Sequence, residues 1–193
     1  MWGDTVTFYN VLSALLFLGS LRVLLIAIDA SNLGGLLAAG CLVVVVFNDM
    51  LSTSNAIECT AETSYTLSLM IIDLINFVLL AIAVVVLDPA KNLFDVPLHN
   101  IAAYLGTSAF WLLLALYWLL LMLWTRIAYP KQAKRKRVLW QLSVAVAFIV
   151  EWLLQICGFD RTGLVVSVVV LLYLTIYLTW LRSFIGGTPA AAP

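Results

Sequence analysis

Long apolar runs broken by short polar, glycine- or proline-containing segments dominate the chain. They cover residues 9–28, 36–52, 64–87, 101–127, 138–158 and 164–185. Within each run apolar residues follow one another continuously, without the period-two alternation of a barrel strand, and this predicts helices. A hydrocarbon core takes about 20 helical residues to cross, at about 1.5 Å of rise each. In lipid every backbone N–H and C=O must also find its partner within the spanning structure, which a helix provides. The pattern predicts an all-α, polytopic transmembrane bundle of six spans, with residues 1–193 forming one membrane domain and 186–193 a disordered tail.

The breaks carry their own signals. Asp29, Ser31, Asn32, Gly34 and Gly35 predict a tight turn and so an antiparallel hairpin of the first two spans. An acidic loop with Glu58 and Glu62 precedes the third span. That span stops at Asp88-Pro89, because proline disfavours helix in the residue before it. Pro130 ends the fourth span, and residues 158–163, with Asp160 and Arg161, turn the chain between the fifth and sixth. No internal repeat supports an inverted-repeat transporter architecture.

Composition sharpens the class. The 193 residues are 64% hydrophobic and 10% charged, with a mean hydropathy of +1.10, whereas a water-soluble domain carries about 25% charged residues. The formal net charge is zero, but five of the ten basic residues are Lys131, Lys134, Arg135, Lys136 and Arg137. A basic hairpin between two apolar spans is a topogenic signal, so it is assigned to the cytoplasm, with both termini beside it. The same reading excludes nucleic acid as a partner and expects the cell membrane as location. Residues 1–10 lack the basic region and cleavage site of a signal peptide, so the first span is expected to be retained. Cys41, Cys59 and Cys157 are too scattered for a disulfide framework or a metal site, and Cys59 and Cys157 are expected to face opposite compartments.

Candidate chemistry lies in ionisable groups within the spans, which by default face the bundle interior or a watery cavity. These are Arg22, Asp49, Asp73 and Glu151. Helix rise puts Arg22 and Glu151 about 20 Å, and Asp73 about 14 Å, from the inner ends of their spans. Arg22 is therefore expected to pair with Glu151 or Asp73. The remaining acids then need a proton, water or a cation. Asn76 stands one turn from Asp73, and Gln155 one turn from Glu151, completing the predicted polar cluster. Asn48 and Asp49, followed by Ser52 and Thr53, form an oxygen-rich helix end suited to a small cation. Gln141 extends the polar face of the fifth span.

Several enzyme classes lack their residues. Haem ligation needs paired intramembrane histidines, and the one histidine, His99, lies between spans. No lysine lies within a span, as a retinal Schiff base would require, and Ser108 has no histidine to serve it as base. Asp49 and Asp73 lack the glycine motif and matched depth of an aspartyl protease dyad. The sequence thus predicts a non-enzymatic channel or transporter-like protein for protons or small ions and solutes, without cofactor or metal, acting as a homo-oligomer or with a membrane-protein partner in the lipid bilayer. The alternatives are a non-conducting membrane subunit or scaffold and, more weakly, a lipid-modifying membrane enzyme.

Overall fold

The computed structural model describes residues 2–31, 33–60, 67–88, 108–128 and 131–185, with side chains over 8–31, 33–50, 68–88, 108–127, 138–159 and 164–176. Among these residues the structure is entirely helical. Its elements are α1 (Trp2–Asp29), α2 (Leu33–Thr60), α3 (Leu67–Leu87), α4 (Ser108–Ala128), α5 (Lys131–Ile156) and α6 (Asp160–Ile185). Stretches of α1 to α5 are long and apolar enough to cross a membrane: Phe8–Asp29, Leu33–Met50, Ser68–Leu87, Ser108–Ile127 and Val138–Ile156. In α6 the described apolar stretch, Leu164–Ile176, is shorter. The starts of the third and fourth expected spans, 64–66 and 101–107, lie outside the described residues, as do His99 and the tail 186–193.

Three boundaries differ from expectation. The glycines after Asn32 do not form the first turn, because α2 already begins at Leu33 and runs through both of them. The described part of the reversal is Ala30 and Ser31, with the Ser31 amide bonded to the Ile28 carbonyl and Ser31 itself at φ 51°. Glycine is cheap in a first helical turn, and a serine held in the left-handed region turns the chain in its place. At its other end α2 continues past Ser52 to Thr60. The basic segment is no loop: Lys131, Lys134, Arg135, Lys136 and Arg137 form the opening turns of α5, as the good helix propensity of lysine and arginine allows.

The α5–α6 turn occupies Cys157–Phe159 and is tighter than the predicted 158–163. The Gly158 amide bonds to the Gln155 carbonyl at 3.2 Å and the Phe159 amide to the Leu154 carbonyl at 3.0 Å. With Gly158 at φ 74°, this is a Schellman cap, in which a left-handed residue lets two orphan carbonyls be satisfied. A Cβ there meets no neighbour, so a Gly158→Ala change acts through backbone strain alone. We expect it to lower stability by about 1 kcal/mol in detergent unfolding experiments.

The helices pack in a ring ordered α1, α2, α6, α5, α4, α3 and back to α1, with the α4–α5 and α1–α2 contacts the most extensive. Inside it α4 supplies the bulk of the filling. Phe110, Leu114, Tyr117 and Trp118 are fully buried beside Leu42 and Val45 of α2, Leu80 of α3 and Phe148 of α5. Trp111 stacks on Phe148 with ring centroids 5.9 Å apart. Trp111 and Trp118 are buried packing residues, and Trp124 is buried against Leu69 and Ile72. Gly19 lets α1 and α3 approach closely, since a Cβ there would stand 3.2 Å from Val84 Cγ1. The outer faces expose leucine, isoleucine and valine along α1, α3, α5 and α6, far more apolar surface than water tolerates. They suit a lipid surround.

Candidate functional site

The intramembrane polar residues do not form one cluster. They separate into three groups, because the ring order keeps α1 from packing broadly against α5.

The first group surrounds Glu151, which α5 presents toward α6 about 8 Å from the helix end at Ile156. Its exposure is 0%. Ser167 donates its hydroxyl to Oε1 at 3.0 Å, and Gln155 donates Nε2 to the same oxygen at 3.2 Å. The buried Oε2 has no hydrogen-bond partner among the described residues. Cys41 of α2 lies close enough to feel the Glu151 charge and is itself a buried free thiol. Both groups that meet the carboxyl are neutral. In a low-dielectric surround a lone carboxylate costs several kcal/mol, so this side chain needs a proton or a cation to complete it.

The second group joins α2, α3 and α4 near the opposite end of the bundle. Tyr117 donates its phenol to Asp49 Oδ1 at 2.8 Å. Asp73 lies on α3 about 8 Å from the Ser68 end of its described apolar stretch. Asn76, one turn along α3, is buried, and neither of its amide atoms has a hydrogen-bond partner among the described residues. Asn48 precedes Asp49 and is buried, its Oδ1 without a partner among the described residues, while the side chains of Ser52 and Thr53 lie outside the described residues.

The third group corrects the expected ion pair. Arg22 reaches Asp88, with Nη2 3.8 Å from Oδ2, and meets neither Glu151 nor Asp73. Equal depth did not suffice: α1 lies beside α2 and α3, and the end of α3 brings Asp88 to the upper turns of α1. The Asp88 side chain is 1% exposed and that of Arg22 46%, so the pair sits at the rim, and solvent screening limits its worth. We expect Arg22→Ala and Asp88→Ala each to cost about 1–2 kcal/mol, and the exchange Arg22→Asp with Asp88→Arg to recover most of it in an unfolding double-mutant cycle. Independent, additive losses would show that the two charges do not interact.

Gln141, placed with Glu151 on one polar face by the sequence pattern, is instead bonded across the helix pair. Its Nε2 donates to Thr125 Oγ1 at 2.8 Å, and Thr125 donates on to the Leu121 carbonyl at 2.9 Å. The polar residues that the sequence pattern did not single out are Tyr117, Thr125 and Ser167, single hydroxyls within apolar runs, and Asp88, whose neighbour Pro89 marked it as a stop signal. Among the described residues no three or more histidine, cysteine, aspartate or glutamate side chains gather as a metal site would need. No known family model matches the chain, and no curated protein or solved structure is significantly similar to it.

Proposed function

We propose that the chain is a small membrane protein that passes protons or small cations through the interior of its helix bundle, with Glu151 as the group that takes up the transported charge. One observation carries the reading. Glu151 is fully buried, its described partners are a hydroxyl and an amide, and one of its oxygens has no partner among the described residues. Ionisable groups placed in this way in membrane helices mark ion paths and proton relays.

The separation of the polar groups adds support. Cys41, beside Glu151, and Asp49, in the second group, lie about 12 Å apart along α2. Leu42, Val45, Leu114 and Phe148, all fully buried, fill the level between them. An apolar plug between two polar sites is a gate: it blocks free leakage and admits a charge only when side chains part to let water enter. In this reading α6 forms a sixth span, both termini and the basic start of α5 face the cytoplasm, and copies associate with one another or with a membrane-protein partner. Glu151 acts by binding charge and no covalent chemistry is involved.

The test is reconstitution into liposomes loaded with a pH-sensitive dye. An imposed pH or sodium gradient should dissipate faster than in protein-free vesicles. Rates equal to those of empty vesicles under both gradients, with a partner retained through mild-detergent purification, would move the reading to the non-conducting subunit.

A further inference from the structure

One polar group lies on the outside of the bundle, on the face shared by α5 and α6. Trp140 of α5 stacks on Tyr173 of α6, with ring centroids 4.8 Å apart and planes 20° from parallel. Ser143, exposed one turn further along α5, shares a hydrogen bond with the Tyr173 phenol. Leu139 and Val146 on α5 and Leu172 on α6 are exposed around them, so the group sits within a surface suited to acyl chains. The hydrogens of the two hydroxyls can be assigned. Ser143 has a single hydroxyl hydrogen and gives it to the Trp140 carbonyl at 2.7 Å. The phenol must therefore be the donor in the bond between Tyr173 and Ser143. Both hydrogens are then spent, and what the two hydroxyls still offer is oxygen lone pairs. In hydrocarbon an acceptor stays unsatisfied unless a donor is brought to it, so this surface asks for a ligand that carries N–H or O–H.

Depth and charge narrow the ligand. Trp140 and Ser143 lie about 3 and 8 Å along α5 from Val138, where its membrane-length apolar stretch begins. That is the boundary between headgroups and acyl chains. Just before it α5 carries Lys131, Lys134, Arg135, Lys136 and Arg137, with no acid in its first turn. Lys136 and Arg137 precede Trp140 by four and three residues, one helical turn away in register. Positive charge gathered beside a membrane span draws anionic lipid groups. We propose that the outer face of α5 and α6 binds a phospholipid whose headgroup carries a primary ammonium, as phosphatidylethanolamine does. The ammonium brings N–H donors to the Ser143 and Tyr173 oxygens, and the aromatic rings beside them attract its charge. The phosphate falls to the basic turn, since the headgroup separates the two charges by about 5 Å, close to one helical pitch. A choline headgroup has no N–H to give, and a glycerol headgroup brings no cation to the rings. The surface is separate from Glu151 and its occupancy is read without any flux, so the inference stands or falls independently of the transport reading.

The experiment is native mass spectrometry of the full chain released from mixed micelles that hold equal amounts of phosphatidylethanolamine, phosphatidylcholine and phosphatidylglycerol with matched acyl chains. One phosphatidylethanolamine per chain should be retained, at least about fivefold above either other lipid. Tyr173→Phe keeps the aromatic stack and removes the phenol oxygen, and Ser143→Ala removes its partner. Each should lower retention of phosphatidylethanolamine at least about threefold and leave that of phosphatidylcholine unchanged. Lys136→Gln together with Arg137→Gln should lower retention of phosphatidylethanolamine and phosphatidylglycerol alike. Phosphatidylethanolamine should also raise the unfolding temperature of the unmodified protein more than phosphatidylcholine does, and this difference should vanish in Tyr173→Phe, a readout that needs no bound lipid to survive transfer to vacuum. Equal retention of the three lipids would overturn the proposal. So would tighter retention of phosphatidylglycerol, which would leave the basic charge alone at work, or a preference for phosphatidylethanolamine that persists when Ser143→Ala and Tyr173→Phe are combined.

Discussion

Replacing Glu151 with glutamine is expected to cut ion flux in proteoliposomes by at least about tenfold while leaving the fold intact. Glutamine keeps the volume of the side chain and an oxygen to accept the Ser167 hydroxyl at the position now 3.0 Å away, so packing around α5 and α6 should survive. What it cannot do is bind and release a proton. Gln155→Leu removes one neutral donor at 3.2 Å and should have a smaller effect. If Glu151→Gln matched the unmodified protein in both flux and stability, the carboxyl would be a packing residue only.

The second large effect concerns the plug. Phe148→Ala deletes a fully buried ring that stacks on Trp111. Lipid tails are as apolar as the core, so the loss is in dispersion contacts and in the cavity left behind. A cost of about 3 kcal/mol is expected, measurable by unfolding in mixed micelles. Because Phe148 lies at the level between the two polar groups, the same change should also raise the passive leak of protons. A cost below about 1 kcal/mol together with an unchanged leak would mean that neighbouring side chains close over the gap and that the ring gates nothing.

Much of the fold was legible because bilayer physics is restrictive: continuous apolarity at helical length admits few solutions. The ends were less so. The glycines at 34 and 35 suggested a turn, yet the chain reverses before them at Ser31, and the charge run at 131–137 suggested a hairpin, although lysine and arginine extend α5 without penalty. The site was legible residue by residue but not in its groupings. Depth along each span follows from helix rise, whereas neighbourhood depends on ring order, which no single span encodes. Arg22 and Glu151 share a depth but lie on helices that do not pack broadly together, and the true partner, Asp88, looked like punctuation. Tyr117 of α4 reaches Asp49 of α2 at 2.8 Å, a contact between helices that the pattern of neither span foretells. Lone hydroxyls such as Ser167 and Thr125 give no pattern from which such contacts can be foreseen.

The most direct test of a charge-carrying carboxyl within the bundle is labelling in membranes with a lipid-soluble carbodiimide, which reacts with a protonated carboxyl shielded from water, followed by mass spectrometry of the fragments. An adduct on Glu151 that forms in step with loss of flux is the expected result. Flux that persists after complete modification of Glu151, or flux lost while Glu151 stays unmodified, would contradict its role as the carrier.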